Sequence, residues 1–324
     1  SYSSAWGSPV IPETFLIRIP NGAVYSQNGH VIVNKKYLIK ELLWPFSFLK
    51  KQKNPLDQKD LSNLRHVQGK VVVLAQEGHK NYYHWITEIL PKLALLKGTQ
   101  YDWVYLPRLT QPFQRETLDR MGVDPRKIIE GDENTYIVAD ELIVPSFVSK
   151  SFYTPRWVID FLQEKLAKPE TTLPVFSKKV FISRQKANYR RALNENDVFF
   201  LFKPLGFERY NLEDLTFVQQ VQLFRDAEIV VAFHGAGLTN IIFCKPNTQI
   251  IEIFQARNNN SFCYLSQTSG LRYDFLKTTP FKKEGLYMDT TVPPDLIEGY
   301  VKKKFGAQTS LITSLPSKEI KSYN

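Results

Sequence analysis

EIVVAFHGAGLTNIIF, residues 228–243, opens as an apolar run, breaks at a histidine and two glycines, and turns apolar again. Glu228–Phe233 suits a strand covered on both faces, and Gly237–Phe243 the start of a helix. Thr216 with Gln219 forms a capping box that opens a helix running to about Ala227. Gln249–Phe254 supplies the next strand. Moving outward, Lys179–Ser183 reads as strand and 194–204 as helix. The first half has the same rhythm: strands at Lys70–Ala75, Trp103–Leu106 and Glu141–Val144, helices from about Asn81, over 112–121 and over 155–167. Such alternation predicts an α/β chain with parallel sheets in both halves and ligands at the carboxyl ends of the strands.

Residues 168–174, KPETTLP, read as a linker. The expected organisation is a first domain over 1–170, a second over 171–307 and a polar tail over 308–324. Residues 14–40 read as a β-hairpin region, with strands at Phe15–Ile19 and His30–Val33 and turn signals at Asn21-Gly22 and Asn28-Gly29. Residues 45–66 are polar and match no element.

At 324 residues, 43% apolar and 13% aromatic, the chain has material for two cores. No apolar run approaches the roughly 20 residues that span a bilayer. The opening Ser1-Tyr2-Ser3-Ser4 shows no signal core. The net charge of +10 fits an anionic membrane surface, a nucleic acid or a phosphorylated small substrate, and is also within the range of an ordinary basic surface. No Lys/Arg block of nucleic-acid type occurs, so nucleic acid is not an expected partner. Cys244 and Cys263 are too few for a disulfide framework and lack metal-site spacing.

His234-Gly235-Ala236-Gly237-Leu238-Thr239-Asn240 lies where a strand gives way to a helix. Glycines let a ligand approach the backbone, and free amides at a helix start attract phosphate oxygens. A dinucleotide fingerprint would continue as G-x-G-x-x-G, and Asn240 stands at its last position, against a nicotinamide cofactor. Glu252 follows near a strand end, placed either to accept from a ribose diol or as a surface carboxylate. After the strand at 179–183 come Arg184, Lys186, Arg190 and Arg191, which suit a diphosphate; the alternative is a solvated loop pairing with Glu195 or Asp197. No Asp-x-Asp triplet follows a strand, so neutralisation by protein groups is expected in place of a metal.

In the first half, Asn81 is placed as an N-cap. Ile86, Ile89, Leu90, Leu93 and Leu96 form the stripe expected to be buried. His84 and Glu88, four apart, share another face and could deprotonate a hydroxyl, or be a structural pair. A zinc site fits poorly, since H-x-x-x-E supplies two ligands at best.

The string Asn81-Tyr82-Tyr83-His84-Trp85-Ile86-Thr87-Glu88, then Ile182-Ser183-Arg184 with Arg190-Arg191 and Asn194-Glu195, then His234–Asn240 and Glu252, resembles glycosyltransferase family 61. That family includes bacterial capsule and lipopolysaccharide enzymes, plant xylan transferases and animal O-linked GlcNAc transferases. The likeness spans roughly residues 70–255. It implies a GT-B fold: two Rossmann-like domains with parallel sheets facing a central cleft, donor on the second and acceptor mostly on the first. It also implies an inverting, metal-independent transfer from a nucleotide sugar, usually a UDP-sugar, to a glycan or lipid-linked saccharide, with no cofactor. On that reading Glu88 is the first candidate for the base and His84 shares the task. Asn81, Tyr82 and Tyr83 lie on the acceptor side. Arg184, Lys186, Arg190, Arg191, the His234 ring and the loop Gly235, Ala236, Gly237, Leu238, Thr239, Asn240 receive the diphosphate, with Glu252 nearby. The expected location is cytoplasmic, against the inner face of a membrane, or the Golgi or ER lumen if an anchor preceded residue 1. A non-catalytic sugar-nucleotide-binding scaffold protein is the competing function, and a nucleotide-dependent oxidoreductase the third.

Overall fold

In the computed structural model of the chain, the described residues are 13–34, 36–44, 64–149, 152–168, 170, 173–254, 259–278 and 289–306. The first sheet holds β1 (Leu16–Pro20), β2 (Ala23–Tyr25), β3 (His30–Val33), β4 (Tyr37–Leu38), β5 (Leu64–Val73), β6 (Trp103–Pro107), β7 (Ile128–Gly131) and β8 (Tyr136–Pro145). Their order is β4-β3-β2-β8-β5-β6-β7, with β1 also on β8. The strands β8, β5, β6 and β7 are mutually parallel, with Val71 opposite both Leu142 and Trp103. Val71, Val72 and Val73 are buried, as a central parallel strand requires.

The N-terminal strands run the other way, so this sheet is mixed where the sequence predicts a parallel one. β1 and β2 lie end to end along β8, Leu16 opposite Pro145 and Tyr25 opposite Tyr136. Asn21-Gly22 is therefore a kink within one edge, and Asn21 adopts a left-handed φ of 52°. The hairpin is β2–β3, turning through Ser26–Gly29, and only the second Asn-Gly signal belongs to it. β7 and the polar half of β5 carry little apolar pattern and were not legible as strands. Residues 45–63, most of the stretch without a predicted element, and the tail 308–324 lie outside the described residues.

Helical segments follow these strands. Tyr82–His84 forms α1, succeeded by a π-helical turn Trp85–Ile89 and a 3-10 run Leu90–Leu96. α2 (Pro112–Arg120) and α3 (Arg156–Leu166) complete this part.

The second sheet contains β9 (Lys179–Ile182), β10 (Glu208–Tyr210), β11 (Ile229–Phe233), β12 (Gln249–Phe254) and β13 (Arg272–Lys277), ordered β10-β9-β11-β12-β13 and parallel throughout. Between them run α4 (Glu195–Phe202), α5 (Phe217–Asp226), a 3-10 helix Ala236–Phe243 and α6 (Ser261–Thr268), and α7 (Pro294–Phe305) closes the described chain. The capping box at Thr216 and Gln219 is formed. Phe181, Phe202, Phe233, Ile251, Ile253, Ile297 and Val301 make one core under α4 and α7. Each side chain of this kind, fully buried, contributes about 1.5–3 kcal/mol. The chain steps from β9 outward to β10 and then back across to β11. Strand order therefore reverses at the β9/β11 boundary, where open parallel sheets place their ligands.

Contacts divide the chain into two compact units, Ser1–Thr171 with Ser261–Ser269, and Thr172–Asn260 with Gly270–Asn324. α6 thus belongs to the first unit, although 171–307 reads in sequence as a single second domain. Its aromatic residues explain the return: Phe262 packs edge-on to Tyr83 at 5.9 Å and Tyr264 to Tyr153 at 5.9 Å.

In the first sheet a Cβ on Gly131 would lie 2.0 Å from Tyr105 Oη and 2.5 Å from its Cζ. That ring is fully buried and its hydroxyl donates to the Ser26 carbonyl at 2.9 Å. Gly131→Ala is expected to destabilise the protein by about 1–3 kcal/mol, read as a lower urea midpoint; an unchanged midpoint would show that the ring can yield.

Candidate active site

Two histidine–carboxylate pairs stand at the carboxyl ends of strands, one in each unit. In the first unit, the loop after β5 leads to Asn81, whose Oδ1 accepts the Tyr83 amide at 2.9 Å. Pro91 cannot continue an α-helical ladder, because it lacks an N–H and its ring crowds the carbonyl four residues back. The chain widens ahead of it: the Leu90 amide donates to the Trp85 carbonyl, a five-residue step. Ile86, Ile89, Leu90 and Leu96 are buried as expected, while Leu93 is half-exposed. The altered pitch carries Lys92 inward instead, to 4% exposure.

His84 Nδ1 lies 2.8 Å from Glu88 Oε1, and both side chains are nearly buried. Glu88 Oε2 accepts from Gln76 Nε2 at 2.8 Å and Trp44 Nε1 at 3.2 Å. Trp44 also meets the His84 ring edge-on at 5.1 Å. A carboxylate only accepts, so the network assigns the imidazole proton to Nδ1 and leaves Nε2 as the basic nitrogen. Both Glu88 oxygens already hold donors, so the carboxylate is placed to orient the imidazole. Lys92, one turn further on, lies 5.1 Å from the Phe147 ring centroid, and burial pushes its ammonium down to about 8 against the pull of Glu88.

Of the residues expected on the acceptor side, Asn81 is a cap, and Tyr83 is buried with its hydroxyl on the Phe152 carbonyl at 3.0 Å. Tyr82 remains half-exposed, edge-on to Phe113 at 5.0 Å.

In the second unit, Glu195 ties down the chain after β9, accepting from Ser183 Oγ at 2.5 Å and the Arg184 amide at 2.7 Å. Arg184 Nε donates to the Arg190 carbonyl at 3.2 Å and Nη2 to the Tyr189 carbonyl at 2.9 Å. Among the described residues no carboxylate pairs with this guanidinium. Burial, then repulsion from Arg190, pulls it down to about 10, so it stays charged at neutral pH. Its Nη1 rests against Gly235, where a Cβ would lie 1.8 Å away. Arg184 and the His234 loop are thus brought together at the strand-order reversal.

Arg190 stays beside Arg184, its guanidinium 5.2 Å from the Tyr189 ring centroid, while the other two cations are paired elsewhere. Lys186 pairs with Asp214, and Arg191 takes Asp289 through its amide, Nε and Nη2. Glu195 is engaged by Ser183 and a backbone amide, and so does not neutralise the cluster's side chains.

His234 Nδ1 lies 2.5 Å from Glu252 Oε1, and its ring stacks on Phe254 at 5.2 Å. Glu252 is completely buried, and Tyr273 Oη donates to its second oxygen at 2.5 Å. It is neither a surface carboxylate nor an exposed acceptor for a ribose diol; both oxygens are engaged within the protein. Gly235 is extended and caps the 3-10 helix, whose first amides lack acceptors within it. Ala236 and Gly237 are half-exposed, Leu238 and Thr239 buried, and Asn240 Nδ2 donates to Gln220 and to the Gly237 carbonyl.

The family model for Glycosyltransferase 61 matches residues 82–251, just over half of the chain. The chain belongs to glycosyltransferase family 61. The match opens on α1 and ends within β12, taking in His84, Glu88, Arg184 and His234. Similar proteins include the EGF domain-specific O-linked N-acetylglucosamine transferases of Drosophila melanogaster, 31% identical over 29% of this chain and 18% of that one, and Pan troglodytes, 26% identical over 29% and 19%. The beta-1,2-xylosyltransferase of Arabidopsis thaliana is 35% identical over 19% of this chain and 12% of its own length. The matched segments span about a fifth of these relatives or less.

Trp44, Gln76, Lys92 and Tyr273 escape sequence reasoning. Gln76 alone had a signal, since it directly follows the apolar run 70–75 at a strand's carboxyl end. The other three join the pairs only through tertiary packing.

Two outcomes follow from this geometry. Gly235→Ala needs no strained backbone but displaces the Arg184 guanidinium, the mobile end of a side chain. It should leave the melting temperature nearly unchanged and weaken retention of an anion beside this loop about tenfold or more, measured by calorimetry with inorganic pyrophosphate. Lys92 has a folded-state value near 8 against 10.5 for the free side chain. Between those pH values the unfolded chain binds the extra proton, so this group's contribution to stability rises with pH there and is flat below. Lys92→Met should be more stable than wild type at pH 7 and lose that increment, as denaturation series at pH 7, 9 and 10 would reveal.

Proposed function

We propose that this chain is an inverting, metal-independent glycosyltransferase of GT-B type that moves a sugar from a nucleotide sugar, a UDP-sugar first, onto a saccharide or lipid-linked glycan hydroxyl. The observation that carries this is Arg184: a half-buried guanidinium with no carboxylate partner among the described residues, pressed on Gly235 beside the start of the Ala236–Phe243 helix. A cation, helix-start amides and an imidazole converging at a strand-order reversal suit a diphosphate. The second unit then carries the donor, and the first the acceptor.

In the first unit the dyad supplies the base. With Nδ1–H held by Glu88, His84 Nε2 takes the proton from the acceptor hydroxyl as its oxygen attacks the anomeric carbon. The bond from that carbon to the diphosphate breaks, and the charge it leaves is met by Arg184, His234 and the loop amides. Glu88, the first candidate from sequence, becomes the group that fixes the tautomer and steadies the imidazolium. The relatives' names carry two sugars, N-acetylglucosamine and xylose, and either class of nucleotide sugar is a reasonable first donor to test. The net charge of +10 would favour an anionic acceptor surface such as a membrane bearing lipid-linked glycan.

Purified His84→Asn should bind uridine diphosphate as wild type does while donor turnover falls about 10²- to 10⁴-fold. Glu88→Gln should fall less. Full turnover in His84→Asn would remove it as base, and a deeper loss in Glu88→Gln would return that role to the carboxylate. Binding of nucleotide sugars without any release of sugar by wild type would favour the scaffold function.

A further inference from the structure

Glu252 is a carboxylate with no exposed surface, in a strand that is otherwise Gln-Ile-Ile and Ile-Phe, and no lysine or arginine pairs with it among the described residues. Such a group is costly in a core where an apolar side chain would pack at least as well. What it holds lies at the ligand loop. Register places it beside Ala232 on β11, two residues before His234, and beside Phe275 on β13, two residues after Tyr273. The His234 amide continues that pairing by donating to the Ile253 carbonyl at 2.9 Å. Phe254 then stacks on the imidazole, and Glu252 receives Nδ1–H. Backbone, ring face and one ring nitrogen are all determined by β12, so the direction of Nε2 is determined too.

We propose that Glu252 and Tyr273 are positioning residues for the diphosphate site: they hold the His234 proton on Nδ1 and aim Nε2 at the donor's diphosphate oxygens. This rests on the nucleotide-sugar function proposed above. With Nδ1–H committed to the buried carboxylate, the doubly protonated form of His234 presents its second N–H at Nε2. The imidazolium donates from Nε2 to the phosphate oxygen, next to the Arg184 guanidinium. Tyr273 prevents Glu252 from turning its second oxygen away. The arrangement parallels histidines oriented by a carboxylate behind them in metal and triad sites.

Glutamine at 252 has one acceptor oxygen for two donors, Nδ1–H of His234 and O–H of Tyr273, so one must be released. Glu252→Gln is expected to weaken uridine diphosphate binding on the order of ten- to a hundredfold, and Tyr273→Phe by less, with melting temperatures close to wild type. In protein labelled with ¹⁵N-histidine, wild type should show a strongly downfield His234 Nδ1 proton, identified by its loss in His234→Gln among only five histidines. That signal should move upfield or vanish in Glu252→Gln. A purely structural Glu252 would leave the affinity in place even as the signal changes. If His234→Gln binds weakly and Glu252→Gln binds as wild type, the positioning role is overturned and the diphosphate site stands. If His234→Gln itself binds as wild type, the diphosphate reading of this loop falls and this inference with it. Should Glu252→Gln not fold, Tyr273→Phe decides: unchanged affinity and an unchanged proton signal overturn the proposal.

Discussion

Parallel pairing of β9, β11 and β12 in one register is the constraint on which the second unit depends. Pairing Ala232 with both Ile182 and Glu252 brings the ends of three strands level. Arg184, His234 and Glu252, which are up to 68 residues apart in sequence, therefore meet within a few residues of those ends. A slip of one residue would send Glu252 to the face occupied by Ile251 and Ile253, among Phe181, Phe202 and Phe233, where no donor awaits it. The apolar pattern of the strands thus protects the polar arrangement at their ends.

The two units solve a similar chemical problem with different local structure. In the first, histidine and carboxylate share one short helical segment, and the carboxylate is held by Gln76 and Trp44 from elsewhere in the chain. In the second, the histidine follows one strand and the carboxylate sits within the next. Each carboxylate oxygen has a donor, which is what permits burial of the charge. Removing one member leaves the other without its hydrogen bond, so each pair holds its own geometry. Arg184 differs from them. Its direct hydrogen-bond partners among the described residues are the carbonyls of Arg190 and Tyr189.

Helix pitch matters as much as residue identity around Glu88. Across the π-helical turn before Pro91, the row His84, Glu88 and Lys92 runs from a nearly buried imidazole to a buried carboxylate and a buried ammonium. Of the stripe expected on a regular helix, Ile86, Ile89, Leu90 and Leu96 stay buried, and Leu93 gives way to Lys92.

Most of the alternation was legible in sequence, because parallel strands buried on both faces are continuous apolar runs: 70–75, 179–183, 229–233 and 249–254 each declare themselves. So were the Asn81 cap, the Thr216–Gln219 capping box and the position of the His234 loop, which rest on contacts within a few residues. Tertiary structure decided the rest. Whether Asn21-Gly22 turns a hairpin or kinks an edge depends on β8, more than 110 residues away. Which unit receives α6 depends on aromatic partners at Tyr83 and Tyr153. Among four cations of identical sign, Arg184 was separated from Lys186 and Arg191 by the placement of Asp214 and Asp289. Local sequence sets the backbone's preferences, but the partner of a charge is chosen by whichever chain folds against it.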